Sequence, residues 1–115
     1  MKRHEQRLSK LIKEEISSLL ERKVNDPRLK SLVSVTDVRL SADFKYAKVF
    51  VSFLGSAEEK KEMLDGFNSA SSFFQRELAS HLTLRHTPKL SFHYDDSIER
   101  GIRMLDLIQK ATGNK

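Results

Sequence analysis

Hydrophobic positions recur along this chain in two rhythms. Between about Glu5 and Lys23, residues Leu8, Leu11, Ile12, Ile16, Leu19 and Leu20 return at intervals of three and four, which places them on one helical stripe. That helix should stop near Asn25-Asp26-Pro27, because a proline disfavours helical geometry in the residue before it. The rhythm then changes to two: Ala47, Val49, Val51 and Phe53 fall on one face of a strand. Upstream, Val33 and Val35 alternate, and Val38 and Leu40 alternate in the opposite phase. Such a phase change predicts a bulge or a change of partner near Thr36-Asp37. Ser41-Ala42-Asp43-Phe44-Lys45 reads as the hairpin connection, longer than a tight two-residue turn.

Gly55-Ser56 opens a long helical stretch from about Ala57 to Leu84, with Ser56 and Glu59 at capping-box spacing. Phe67, Ala70, Phe74, Leu78 and Leu82 line one face of it. The run Asn68-Ser69-Ala70-Ser71-Ser72 strings together poor helix formers, so a break should split the stretch into two helices. Thr87-Pro88 ends the second helix, and Leu90, Phe92 and Tyr94 alternate as a third strand. Asp96 or Ser97 then caps a short helix whose apolar face is Ile98, Ile102, Leu105 and Ile108. The pattern predicts an α+β domain: helix, strand, strand, kinked helix pair, strand and a C-terminal helix. A helical crossover normally returns a strand parallel to the one it left, so a three-stranded mixed sheet is expected, with the helices on one face. Residues 1–110 should form a single domain and 111–115 a frayed tail.

Composition narrows the function without naming it. The chain of 115 residues carries 21 Lys and Arg against 16 Asp and Glu, a net charge of +5 that favours polyanions through steering and counterion release. Many soluble proteins carry as much simply to stay dispersed. No apolar run is long enough to cross a bilayer, and Met1-Lys2-Arg3-His4-Glu5 lacks the apolar core of a secretory signal. The absence of cysteine excludes disulfides and thiolate metal sites, and a cytoplasmic location is expected. The four glycines are isolated, so no phosphate-cradling loop exists, and no serine sits in a nucleophile elbow. His81 and His86, five apart, turn away from each other on a helix. His93 and Asp95 share a strand face and leave one catalytic alternative, a metal-dependent nuclease, against the plainer reading of an exposed sheet face. We therefore expect no enzyme, no metal and no cofactor.

The basic residues form rows that nucleic acid would fit. Arg3, Arg7 and Lys10 lie near one another on the first helix, away from its apolar stripe. Arg76, Arg85 and Lys89 bracket the second half of the broken helix. At the break itself, Ser71 and Ser72 would begin a helix whose first N–H groups lack intrahelical partners and suit phosphate. Phe73 and Phe74, though able in principle to stack on bases, have the spacing of core residues.

Four segments of this chain resemble the ribosome-binding factor A family, bacterial factors for small-subunit maturation. They are Asn25-Asp26-Pro27-Arg28-Leu29; Val35-Thr36-Asp37-Val38 with Leu40-Ser41-Ala42-Asp43-Phe44; Ala47-Lys48-Val49-Phe50-Val51-Ser52; and Leu84-Arg85-His86-Thr87-Pro88-Lys89-Leu90-Ser91-Phe92 running into Tyr94-Asp95-Asp96-Ser97-Ile98. The resemblance implies a type II KH-like fold in which a kink of the form Ala-x-Gly replaces the glycine-rich loop. Here the kink reads Ala70-Ser71-Ser72, with serine where the family usually has glycine. It further implies binding to the immature 30S subunit and its 16S rRNA, help in late maturation and 16S rRNA processing, and a role in growth in the cold. A monomer is expected. The candidate RNA-binding residues are Arg3, Arg7, Lys10, Ser71, Ser72, Arg76, Arg85 and Lys89, whereas Asp26, Asp43 and Pro88 match the family pattern and should shape turns and helix ends. A general single-strand RNA or DNA binder is the rival reading. The missing glycine loop argues against its usual grip on four nucleotides.

Overall fold

A computed structural model of the chain describes residues 2–23, 33–84 and 86–112. The elements run α1 (Lys2–Lys23), β1 (Ser34–Leu40), β2 (Tyr46–Ser52), α2 (Ala57–Ser69), α3 (Ser71–His81), β3 (Lys89–Tyr94) and α4 (Ser97–Thr112). The expected helix stop at Asn25-Asp26-Pro27 and the basic residue Arg85 lie outside the described residues, as do 113–115. Residues Ala111 and Thr112, expected to begin the tail, form the last turn of α4.

The sheet has the order β1-β2-β3, with β1 and β2 antiparallel and β2 and β3 parallel. This is the mixed three-stranded sheet that the helical crossover demands. Ala47, Val49, Val51 and Phe53 are all buried, on the face that α1 and α3 cover through Ile12, Ile16, Leu19, Phe74 and Leu78. Leu90 and Phe92 extend this core from β3. Leu11, which the periodicity put on the buried stripe, is 42% exposed.

The phase change in β1 is a bulge: Val35 pairs with Val51 and Asp37 with Phe50, leaving Thr36 as the extra residue. The Thr36 hydroxyl lies 2.5 Å from Asp95 Oδ2 and 3.3 Å from the Phe50 carbonyl. It thus ties β1 to the end of β3 across the middle strand. The hairpin turn is held by Asp43, whose carboxylate accepts the Ser41 hydroxyl at 2.7 Å and the Lys45 N–H at 3.1 Å. Those two bonds, the Ser41 one first, keep Asp43 below the ordinary carboxylate range. Phe44 closes the turn at φ 60, a left-handed conformation held by its N–H bond to the Ser41 carbonyl and by an edge-on contact with the His4 ring.

The last helix departs from expectation. Ile98, Ile102, Leu105 and Ile108 do share a face, but they are between 51% and 64% exposed. Only the first turn is anchored. Tyr94 donates its hydroxyl hydrogen bond within reach of both the Phe53 carbonyl and Glu99, and Lys60 sits 4.4 Å from the Tyr94 ring centroid. From there residues 100–112 of α4 are all exposed.

Candidate nucleic-acid interface

The break between α2 and α3 is a single residue. Ala70 adopts φ −92 and ψ 8, and its N–H is shared between the Gly66 and Phe67 carbonyls at 3.1 Å each. Its own carbonyl accepts the Phe74 N–H at 3.1 Å and so starts the next helix. One residue therefore closes α2 and opens α3, with no side chain capping the new N-terminus. The first N–H groups of α3 are left to solvent or to a ligand. At the far end of α2 the situation is reversed: Ser56 and Glu59 form a complete capping box there.

Asn68 fixes where the break falls. Its side-chain oxygen accepts the Phe92 N–H at 2.8 Å, and its amide donates to the Phe92 carbonyl at 3.2 Å and the Leu64 carbonyl at 3.0 Å. The side chain thus does for the outer edge of β3 what another strand would do, and holds the start of α3 at a set height over the sheet. Below it, Phe92 stacks on Phe67 with ring centroids 5.3 Å apart, and Phe74 packs 5.2 Å from Phe92. Phe74 is core, as its spacing suggested, while Phe73 is half-buried beside it.

The residues expected to bind RNA fall into three places. Ser71 is half-buried, and Ser72 and Arg76 are exposed, all in the first turns of α3. Ser72 is helical and has no positive φ, so the serine that stands at the usual glycine position meets no backbone strain. The break faces the C-terminal half of α1, with Ser17, Leu20, Phe67 and Ala70 lining the same cleft. Arg3, Arg7 and Lys10, all exposed, occupy the other half of α1. There His4 meets Phe44 of the hairpin, and Lys10 lines a groove with Lys13 and with Asp37 to Leu40 of β1. Ten residues of helix, about 15 Å, separate Lys10 from Leu20. Lys89 lies elsewhere again, at the start of β3, where its N–H reaches the Lys45 carbonyl at 2.9 Å. The structure brings Ser71, Ser72 and Arg76 together; the α1 row and Lys89 belong to the hairpin end.

His93 and Asp95, the residues of the catalytic alternative, each meet other partners. Asp95 Oδ2 is taken by Thr36 and Oδ1 by the Ser97 N–H at 2.9 Å, which holds the carboxyl below its ordinary range, the Thr36 bond first. His93 instead meets Ser91, Nε2 to Oγ 2.9 Å. Burial, then the charge of Lys48, lowers the pKa of His93. Among the described residues no three His, Cys, Asp or Glu side chains are grouped to hold a metal ion, and no helix is long and apolar enough to cross a membrane.

The element order, the mixed sheet and the one-residue break define the class: a type II KH-like domain whose central helices meet at a kink instead of a glycine-rich loop. Residues 4–108 match the family model described as ribosome-binding factor A. The chain belongs to that family. It is 46% identical over 105 residues to ribosome-binding factor A of Dictyoglomus thermophilum, covering 91% of this chain and 88% of the relative. Against the Acetivibrio thermocellus factor it is 44% identical over 107 residues, 93% and 87% of the two chains. Among solved structures, the crystal structure of ribosome-binding factor A from Thermus thermophilus superposes with a TM-score of 0.66 at 27% identity, covering 78% of this chain and 94% of the other. A homology model of the Thermus thermophilus factor, fitted into the cryo-EM map of a 30S complex with that factor, gives 0.61 at 25% identity, covering 76% and 90%.

Proposed function

We propose that this chain binds the immature 30S ribosomal subunit through its 16S rRNA and assists late maturation and 16S rRNA processing without catalysing a step itself. The observation that carries this reading is the family match over nearly the whole chain, with a structural neighbour fitted into a 30S complex. The uncapped start of α3 supports it, because unpaired N–H groups at a helix N-terminus favour phosphate oxygens. In this account Ser71, Ser72 and Arg76 hold the RNA at the break, Arg3, Arg7, Lys10 and Lys89 contribute at the hairpin end, and Arg85, further along the sequence, adds a positive charge. The protein acts as a monomer in the cytoplasm and biases rRNA toward one conformation by binding it more tightly than the alternatives. Such a bias matters most in the cold, where RNA helices exchange slowly, which fits a role in cold adaptation. Separate nucleases cut the ends.

Sedimentation of tagged protein in cell extract tests the reading. The protein should travel with immature small subunits; if it stays at the top of the gradient while such subunits are present, the reading is wrong. A metal-dependent RNA cleavage by purified protein that disappears in the His93→Ala, Asp95→Ala double variant would contradict the non-catalytic part.

A further inference from the structure

Helices α1, α2 and α3 cover one face of the sheet, and the other face has its own chemistry. Along β2 the residues opposite the core are Tyr46, Lys48 and Phe50, an aromatic, a cation and an aromatic at two-residue spacing. Cross-strand pairing widens the row. Tyr46 sits opposite Lys89, Lys48 sits between Arg39 and Ser91, and Phe50 sits between Asp37 and His93. Tyr46 is 57% exposed, and Arg39, Lys48 and Lys89 are exposed as well. Arg39 also borders the groove that Lys10 and Lys13 of α1 line.

The planar groups on this face are already arranged. The Phe50 and His93 rings lie 5.5 Å apart at an interplanar angle of 34°. The Arg39 guanidinium is held 5.3 Å from the Phe50 centroid by its ion pair with Asp37, Nε to Oδ2 3.1 Å. Asp37 is paired with Arg39, and Asp95, on the same face beyond His93, is held by the Thr36 hydroxyl and the Ser97 N–H. Lys48 and Lys89 remain as positive charges between and beside the aromatic positions, with Lys45 next to Lys89 at the hairpin. Tyr46 and Phe50, four residues apart on a strand, stand about 13 Å from each other, with Lys48 halfway.

We propose that this open sheet face is a second RNA surface, one that stacks unpaired bases of a single strand on Tyr46 and on the Phe50–His93–Arg39 cluster while Lys48 and Lys89 neutralise the phosphates between. The proposal takes from the reading above only that the ligand is RNA. The charge decides the class of occupant: a cationic face set with flat rings suits an anion that carries flat rings at intervals. A duplex does not fit, because its bases are stacked on each other and, away from its ends, it leaves no base face open to a ring. Single-stranded RNA matches both halves, since bases splayed from the backbone stack on aromatic rings and on guanidinium planes. His93 suits this use further, because burial, then the charge of Lys48, disfavours the charged form of its ring. This surface is separate from the break: the two lie on opposite sides of the sheet, and one reads bases where the other holds phosphate.

Fluorescence anisotropy with the full chain tests it, using an unstructured RNA octamer, an abasic ribose-phosphate strand of equal length and a short RNA duplex. The octamer should bind more tightly than either control, and Tyr46→Leu should weaken it about tenfold, the usual effect of removing one stacking ring. Tyr46 is exposed, so that variant folds; Phe50→Leu added to it keeps apolar volume and should deepen the loss. Equal affinity for octamer and abasic strand, or unchanged octamer binding by both variants, overturns the proposal. Wild-type protein that travels with immature subunits but ignores the octamer sinks the sheet-face surface alone. Octamer binding that depends on Tyr46, in protein that never travels with subunits, sinks the ribosomal reading and keeps the surface. Loss of subunit binding by Tyr46→Leu without octamer binding places a protein partner on this face and also overturns the proposal.

Discussion

Thr36 shows how much one residue can hold. As the extra residue of the β1 bulge it offers its hydroxyl to Asp95, whose other oxygen caps the start of α4. Thr36→Val keeps the shape and deletes the bond, so it should cost about 1.5–3 kcal/mol in denaturant unfolding, the range for a hydrogen bond to a charged group. Four groups have lowered pKa values: His93 governs the range near neutrality, while Asp95, with the exposed Asp43 and Glu59, belongs to the acid range. His93 has an ordinary value of 6.5 in the unfolded chain and a lower one when folded, so below about 6.5 the unfolded state takes up the proton first and stability falls. Asp95 contributes stability that is present above its unfolded value of 3.8 and lost as pH drops through its depressed folded value. Unfolding midpoints should thus decline in two stages on acidification. Thr36→Val should shrink the lower stage and leave the upper one; a single decline unaffected by the substitution would contradict this assignment. The phase change of the valines made the bulge legible in the sequence, yet nothing in the sequence could pair Thr36 with a residue 59 positions away. Phe44 at positive φ was equally hidden, since turns of this kind favour glycine or asparagine there.

Among the elements, the broken helix was the most legible and the last helix the least. The run of poor helix formers marked the break to within a residue, because Ala70 lies at its centre. The same run concealed the work of Asn68, which counts against a helix by propensity but satisfies the edge of β3. For α4, periodicity identified the apolar face correctly and said nothing of a partner, so the expectation that it packs on the sheet failed. The open sheet face was missed for a related reason: alternation identifies the buried face, and the opposite residues are then read as merely solvated. At the break, Ser72→Glu separates folding from binding. A negative charge in the first turn of α3 should stabilise the helix by about 0.3–1 kcal/mol, while repelling phosphate and weakening subunit binding. A variant that binds as tightly as wild type would remove the start of α3 from the interface.

At the scale of the whole molecule, the charge of +5 becomes informative once it is located. The α1 row and Lys89 lie toward the hairpin end, whereas Ser71, Ser72 and Arg76 gather at the break beside the other half of α1. An RNA that touches both must span the domain. Replacing Arg3, Arg7 and Lys10 with glutamate should weaken subunit binding and reduce its log–log salt slope by roughly 2–3, about one per lost phosphate contact. Unchanged affinity and slope would detach α1 from the site. The most direct measurement is a crosslink map from a photoreactive side chain placed at Ser72 of the full-length protein, bound to immature small subunits. Crosslinks concentrated in 16S rRNA, and lost when unlabelled protein competes, are the expected result. Crosslinks to ribosomal proteins alone, or none in particles that demonstrably carry the protein, would contradict RNA binding at the break.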